Sequence, residues 1–105
     1  MTTIEIEAPL APVLDLFSGS TYTEKIAGVL SREIQRYLLE CEEGMLKLEI
    51  HYGMDYPEFQ RSLESGEVGD EFQFQLEADA IRWSDLITEK RHWLSQLRSV
   101  SELQD

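Results

Sequence analysis

From Ile26 onward the large apolar side chains fall at Ile26, Leu30, Ile34, Tyr37, Cys41, Met45, Leu48 and Tyr52, with steps of 4, 4, 3, 4, 4, 3 and 4. Steps of three and four mark one face of a helix, and the stripe is sustained for more than seven turns. Just upstream, Thr21-Tyr22-Thr23-Glu24 has the capping-box spacing, in which the Thr21 hydroxyl and the Glu24 carboxylate satisfy the free amides of a first turn. The pattern predicts one helix over residues 21–52. Gly44 costs about 1 kcal/mol relative to Ala inside a helix. A kink or break would fall there, although the stripe keeps its phase across it.

The next twenty residues, His51 to Asp70, hold three of the six glycines and one of the three prolines. Each of these has a backbone task. Gly53 takes the left-handed conformation that ends a helix, with Met54 as the apolar contact that follows such a cap. Asp55-Tyr56-Pro57-Glu58 then starts a short helix over 55–65, with Asp55 as N-cap, Pro57 in the first turn and Glu58 placed to bond back. Phe59 and Leu63 give it an apolar face, Gly66 stops it, and Gly69-Asp70 makes a further turn. The stretch reads as a structural corner, and an active-site loop is not needed to explain it.

Residues 71–76 alternate, with Phe72, Phe74 and Leu76 separated by polar residues, and so do Ile4 and Ile6 near the N-terminus. Two readings stay open: a short ladder between 2–7 and 71–76, within one chain or between two, or an extended lead that plugs the end of the final helix. That helix is expected over 76–100, with Leu76, Ala80, Trp83, Ile87, Leu94 and Leu97 on one side and Leu86, Trp93 and Val100 flanking. Lys90 interrupts that side, its stem covering apolar surface while the ammonium reaches water. Residues 1–20 form an N-terminal arm and 101–105 a frayed tail.

The expected fold class is therefore mainly α, a long helical hairpin with a short connecting helix and the option of a short N-terminal strand, as one domain. A helix of about thirty residues is about 45 Å long, whereas a compact domain of this size has a radius of gyration near 13 Å. Pairing with a second hairpin would cover both stripes, so a homodimeric helical bundle is expected. Leu39, Leu46 and Ile50 fall on the back of the long helix, opposite its main stripe, and a helix apolar on two sides wants two neighbours. The second neighbour is the dimer mate, a different protein, or the arm itself through Leu10, Val13, Leu14, Leu16 and Phe17.

Charge sharpens the choice of partner. The chain of 105 residues has a net charge of −12, and residues 40–80 hold twelve Asp and Glu against Lys47 and Arg61. Such a field, with Glu42 and Glu43 beside the back stripe, favours a basic protein and opposes nucleic acid. The alternative is that it serves only as a solvated surface. No Lys or Arg occurs in residues 1–20 and no stretch is apolar enough to span a membrane, so neither a signal peptide nor a membrane anchor is expected. The single Cys41 makes no internal disulfide and fits a reducing cytoplasm.

The search for chemistry yields little, and no cofactor or enzyme activity is expected. Cys41 sits in the apolar stripe with no base at a fixed spacing and reads as a small buried hydrophobe. Glu89-Lys90-Arg91-His92 has the Glu-x-x-His spacing of di-iron carboxylate bundles, but at 100° per residue both side chains point away from the Trp83 side. His51 lies at a helix C-terminus, where a cation is favourable in any case. No phosphate-binding glycine motif, nucleophile elbow or zinc-ligand set occurs.

Tyr52-Gly53-Met54, Glu58-Phe59, Gly66-Glu67-Val68-Gly69-Asp70 and the Trp83 of the final helix resemble the pattern of a group of small acidic prokaryotic antitoxins of toxin–antitoxin pairs. The resemblance runs from near Met45 to Val100, and His51 stands where that pattern has a basic residue before the Tyr-Gly pair. It implies a non-enzymatic cytosolic protein that binds and silences a toxin, commonly a ribonuclease. The alternative expectation is a self-contained homodimeric scaffold or tether, in which the dimer consumes Leu39, Leu46 and Ile50.

Overall fold

A computed structural model describes residues 2–66 and 73–104. The chain is mainly helical, with no strand among the described residues. A 3-10 turn at Ala8–Leu10 leads into a short helix, Ala11–Leu14 (α1). Two long helices follow, Tyr22–Tyr52 (α2, 31 residues) and Gln73–Ser101 (α4, 29 residues), with Tyr56–Glu64 (α3) between them in sequence.

The helix ends follow from local chemistry. The Glu24 amide donates to Thr21 Oγ1 at 3.1 Å, and the Glu24 carboxylate accepts from the Ser20 amide at 2.6 Å, one residue before the amide a strict capping box would use. Gly53, at φ +67°, closes α2 by donating its amide to the Glu49 carbonyl at 2.7 Å, the single bond of a left-handed cap. Asp55 caps α3 by accepting the Glu58 amide at 3.0 Å, with Pro57 in the first turn, and Gly66 at φ +71° ends it. The Gly69-Asp70 turn lies outside the described residues.

Contacts divide the chain into two compact units, one of residues 1–36 with 94–105, the other of residues 37–93. The second unit contains the larger core. Leu48, Phe59, Leu76 and the fully buried Trp83 pack together, with Met45, Tyr52, Met54, Tyr56, Leu63 and Ile87 around them. Trp83 lies 5.3 Å from Phe59 and 5.5 Å from Tyr56 by ring centroid, in the tilted geometries aromatic quadrupoles favour. On α2 of this unit the inward positions are Leu38, Cys41, Met45, Leu48 and Tyr52, and α4 answers with Leu76, Ala80, Trp83, Ile87 and Lys90. Steps of three and four alternate on both, a seven-residue repeat. The two run in opposite directions here, since Tyr37 stacks on Trp93 at 4.9 Å whereas Tyr52 bonds Asp79.

α2 is helical without interruption through Gly44. A Cβ on Gly44 would stand 2.9 Å from Leu86 Cδ1, so the missing side chain makes room for Leu86 to approach. Lys90 keeps its stem half-buried, as its position required, and its ammonium lies 3.5 Å from Oε1 of the exposed Glu42.

The first unit buries much less. Ala27, Ser31 and Ile34 are its buried side chains on α2, while Leu30 is 48% exposed. The inward face therefore passes through Ala27 and Ser31, not through Ile26 and Leu30 as the larger apolar residues suggested. Gly28 approaches the Gln104 side chain, whose Nε2 lies 3.6 Å from where a Cβ would stand. The Arg32 guanidinium sits over the Phe17 ring at 5.6 Å, and Lys25 Nζ donates to the Phe17 carbonyl at 2.7 Å. Leu97 and Val100 are half-buried, but Leu94 is exposed. After α4 ends at Ser101 the tail turns back in two bonds, from the Leu103 amide to the Val100 carbonyl and from the Gln104 amide to the Ser101 carbonyl.

The ladder expectation is corrected. Residues 2–7 form no strand and residues 73–76 belong to α4, three residues before its expected start, while residues 71–72, with Phe72, lie outside the described residues. Phe74 plugs nothing, being 86% exposed on that helix. Four alternating residues fit the start of a helix as well as a strand, and the helix wins by continuing an unbroken ladder of backbone bonds.

Candidate functional site

The back of α2 in the second unit carries the apolar residues singled out by their phase. Leu39, Leu46 and Ile50 are 55%, 53% and 72% exposed. They lie opposite the buried Cys41 and Leu48, because 100° per residue turns Leu46 and Ile50 roughly half a circle from that seam. Glu43 is exposed within the ridge, and Glu42 stands at its margin, held towards α4 by Lys90. The second unit as a whole has fourteen acidic and five basic side chains, a net of −9. An apolar ridge in an acidic surround can bind a protein whose own contact face is basic with an apolar centre.

The corner below the ridge is fixed by Tyr52. Its hydroxyl donates to Asp79 Oδ2, and Gln75 Nε2 donates to Asp79 Oδ1 at 3.0 Å. Burial, and then the hydrogen bond and negative charge of Asp79, push the Tyr52 phenol up to about 12. Asp79 also lines a groove of about 440 Å³ with Gly44, Lys47, His51 and Arg82. Neither Lys47 nor Arg82 makes an ion pair among the described residues. His51 is exposed and meets the Tyr52 ring edge-on at 4.6 Å.

Cys41 is buried, and its thiol faces Glu89 Oε2 at 3.7 Å. Burial, followed by the nearby Glu89 carboxylate, raises its pKa above the ordinary thiol value. A proton held this firmly is the opposite of what a nucleophile needs. Glu89 thus turns further towards α2 than helix phase alone indicated, while His92 is exposed against the edge of Trp93 at 5.3 Å. Among the described residues no three His, Cys, Asp or Glu side chains gather where they could hold a metal ion. No helix among them is long and apolar enough to cross a membrane.

Two features escaped the sequence reading. On α4, Phe74 and Ile81 are exposed and seven residues apart, opposite Leu76 and Trp83. The heptad spacing was the available signal, hidden by reading Phe74 as part of a strand. In the first unit, the arm leaves Leu10, Val13, Leu16 and Phe17 exposed, while Ile6 and Leu14 are half-buried. Ile4, Ile6, Tyr22, Ile26, Leu30 and Leu103 line an apolar groove of about 430 Å³ there. Comparison of the chain with protein-family models, with curated proteins and with solved structures finds no match.

Proposed function

We propose that this chain is a non-enzymatic protein-binding module of the antitoxin kind, which silences a basic cytosolic toxin by direct binding. The observation that carries this reading is the exposed ridge of Leu39, Leu46 and Ile50 within a unit of net charge −9. The acidic surround steers a basic partner to the surface, and the ridge supplies the apolar centre that survives salt screening. The antiparallel contacts of α2 and α4 in the second unit support a helical hairpin as its frame.

A second reading is a homodimeric helical scaffold, in which a second hairpin covers the same ridge. It is supported by the exposure of Leu39, Leu46 and Ile50 along one face of α2, an apolar seam of the kind that neighbouring helices cover in a bundle.

The deciding experiment is affinity capture from native lysate at low and high salt, with wild-type chain and Leu46→Asp side by side. A small basic protein held in stoichiometric amount through high salt by the wild type, and lost by the variant, is the result expected. No basic partner, together with a homodimer that Leu46→Asp splits, would replace the antitoxin reading with the scaffold.

A further inference from the structure

The second unit has fourteen acidic and five basic side chains, yet two of the five, Lys47 and Arg82, line one groove together with His51. Helix phase gathers them. Gly44, Lys47 and His51 follow at steps of three and four on α2, and Gln75, Asp79 and Arg82 at steps of four and three on α4, so each trio shares one face of its helix. The groove they line encloses about 440 Å³, within the range of small-molecule sites. Arg82 reaches across to α2, its Nη2 standing 3.8 Å from where a Cβ on Gly44 would be.

Both cations are left without a carboxylate. Glu43 precedes Lys47 by four residues, and Asp79 and Asp85 flank Arg82 at three, spacings at which helical ion pairs form, but neither cation is paired among the described residues. Asp79 is the one acid in the lining, and each of its oxygens already accepts a hydrogen bond, from Tyr52 and from Gln75. Lys47 and Arg82 against Asp79 give the lining a net charge of +1 inside a unit of −9.

We infer that this groove binds a small phosphate monoester, held by Lys47, Arg82 and His51. The guanidinium offers a planar fork to two phosphate oxygens, the ammonium a point charge, and the imidazole an N–H donor in either protonation state. Two full positive charges match the near-dianion of a phosphate monoester better than a single carboxylate. The volume exceeds what one phosphate group fills, which leaves room for an organic part beside Leu48 and Gln75. The acidic surround does not close the groove to an anion. Exposed charges beyond about 8 Å are largely screened at physiological ionic strength, whereas the ligand touches Lys47 and Arg82 directly. The inference goes beyond the proposed partner-binding ridge, because none of Leu39, Leu46, Ile50, Glu42 and Glu43 lines the groove.

The test is a titration of the full chain, followed by proton–nitrogen correlation spectra, with ribose phosphate, inorganic phosphate, ribose and succinate as probes. Ribose phosphate should give saturable shifts centred on the amides of Gly44, Lys47, His51, Asp79 and Arg82. Inorganic phosphate should bind more weakly, and ribose and succinate should leave those amides in place. Lys47→Ala and Arg82→Ala should each raise the Kd for ribose phosphate by at least about 10-fold, and Arg82→Lys should recover only part of that loss. Arg61→Ala removes an exposed cation of the same unit outside the lining and should change the Kd by less than about 2-fold. Lys47, Arg61 and Arg82 are all exposed, so far-ultraviolet dichroism should be unchanged in every variant. No saturable shift overturns the inference, as does a response centred away from the groove. Succinate binding as tightly would make the groove a carboxylate site, and equal affinity for inorganic phosphate would remove the monoester. Equal losses from Arg61→Ala and Arg82→Ala would reduce the effect to general charge. The titration uses the isolated chain, so it can fail without touching the capture of a basic partner.

Discussion

Leu86 of α4 occupies the space that a side chain on Gly44 of α2 would need, its Cδ1 lying 2.9 Å from the position of the absent Cβ. Glycine is thus retained in mid-helix for close approach. Gly44→Ala should gain less than the roughly 1 kcal/mol that helix propensity alone offers, because Leu86 must shift. In a Leu86→Ala background the obstruction is gone, and the same substitution should recover the full gain. A double-mutant cycle by urea denaturation should give a coupling of at least about 0.5 kcal/mol between the sites. Additivity would show that the contact is without energetic effect.

Tyr52 and Asp79 set an alkaline limit. The folded chain holds the phenol proton to about pH 12, against about 10 for an unperturbed tyrosine. Between these values the unfolded chain has lost the proton and the folded chain has not. The stabilisation is therefore complete below about pH 10 and fades as pH rises towards 12. Tyr52→Phe should cost about 1 kcal/mol at neutral pH for a hydrogen bond to a partly buried carboxylate. The difference in denaturation midpoint between wild type and variant should shrink on the alkaline side; a constant difference would disconnect the two residues.

The Cys41 thiol should be slow. Buried and with its pKa raised by burial and Glu89, it offers little thiolate at neutral pH. Reaction with a thiol-specific reagent should be at least about 100-fold slower in the native protein than in denaturant, where an ordinary cysteine pKa near 8.5 returns. Comparable rates would place the thiol in contact with solvent.

Trp83 has no exposed surface, and among the described residues its indole N–H has no acceptor. Trp83→Ala should cost about 3–5 kcal/mol by emptying the aromatic core. Trp83→Phe keeps a ring against Phe59 and Tyr56 and discards the unpaired donor, whose burial costs roughly 1–3 kcal/mol. It should lose less than about half as much as the alanine variant. Equal losses by thermal denaturation would mean that the indole N–H is satisfied in solution.

Leu46→Asp should separate binding from folding. The side chain is over half exposed and opposite the buried seam, so unfolding free energy should change by no more than about 0.5 kcal/mol, with a few tenths more from the nearby Glu42 and Glu43. A loss of several kcal/mol in the isolated chain would show that Leu46 packs against part of its own fold.

What was legible in the sequence was local. Thr21, Gly53, Asp55 and Gly66 act on amides and dihedral angles within four residues, so helix ends could be read without knowing the tertiary fold. Leu39, Leu46 and Ile50 could be picked out because helix phase alone places them away from Cys41 and Leu48. The inward face near the start of α2 was not legible, since Ala27 and Ser31 are small and the larger Ile26 and Leu30 drew the reading one residue aside. Phe74 was misread because its alternation was too short to distinguish strand from helix. The exposed arm was missed for a third reason: whether Leu16 covers its own chain depends on tertiary packing, which no periodicity encodes.

Both tryptophans, Trp83 and Trp93, fall in the second unit. Tryptophan emission, excited where tyrosine does not absorb, is therefore deaf to the first unit, whereas backbone dichroism weighs every helical turn alike. Melting curves recorded by the two signals will superimpose only if the thinly packed unit gives way together with the aromatic one. If they part, the gap between them is a direct reading of how far the apolar arm loosens while the acidic ridge is still folded.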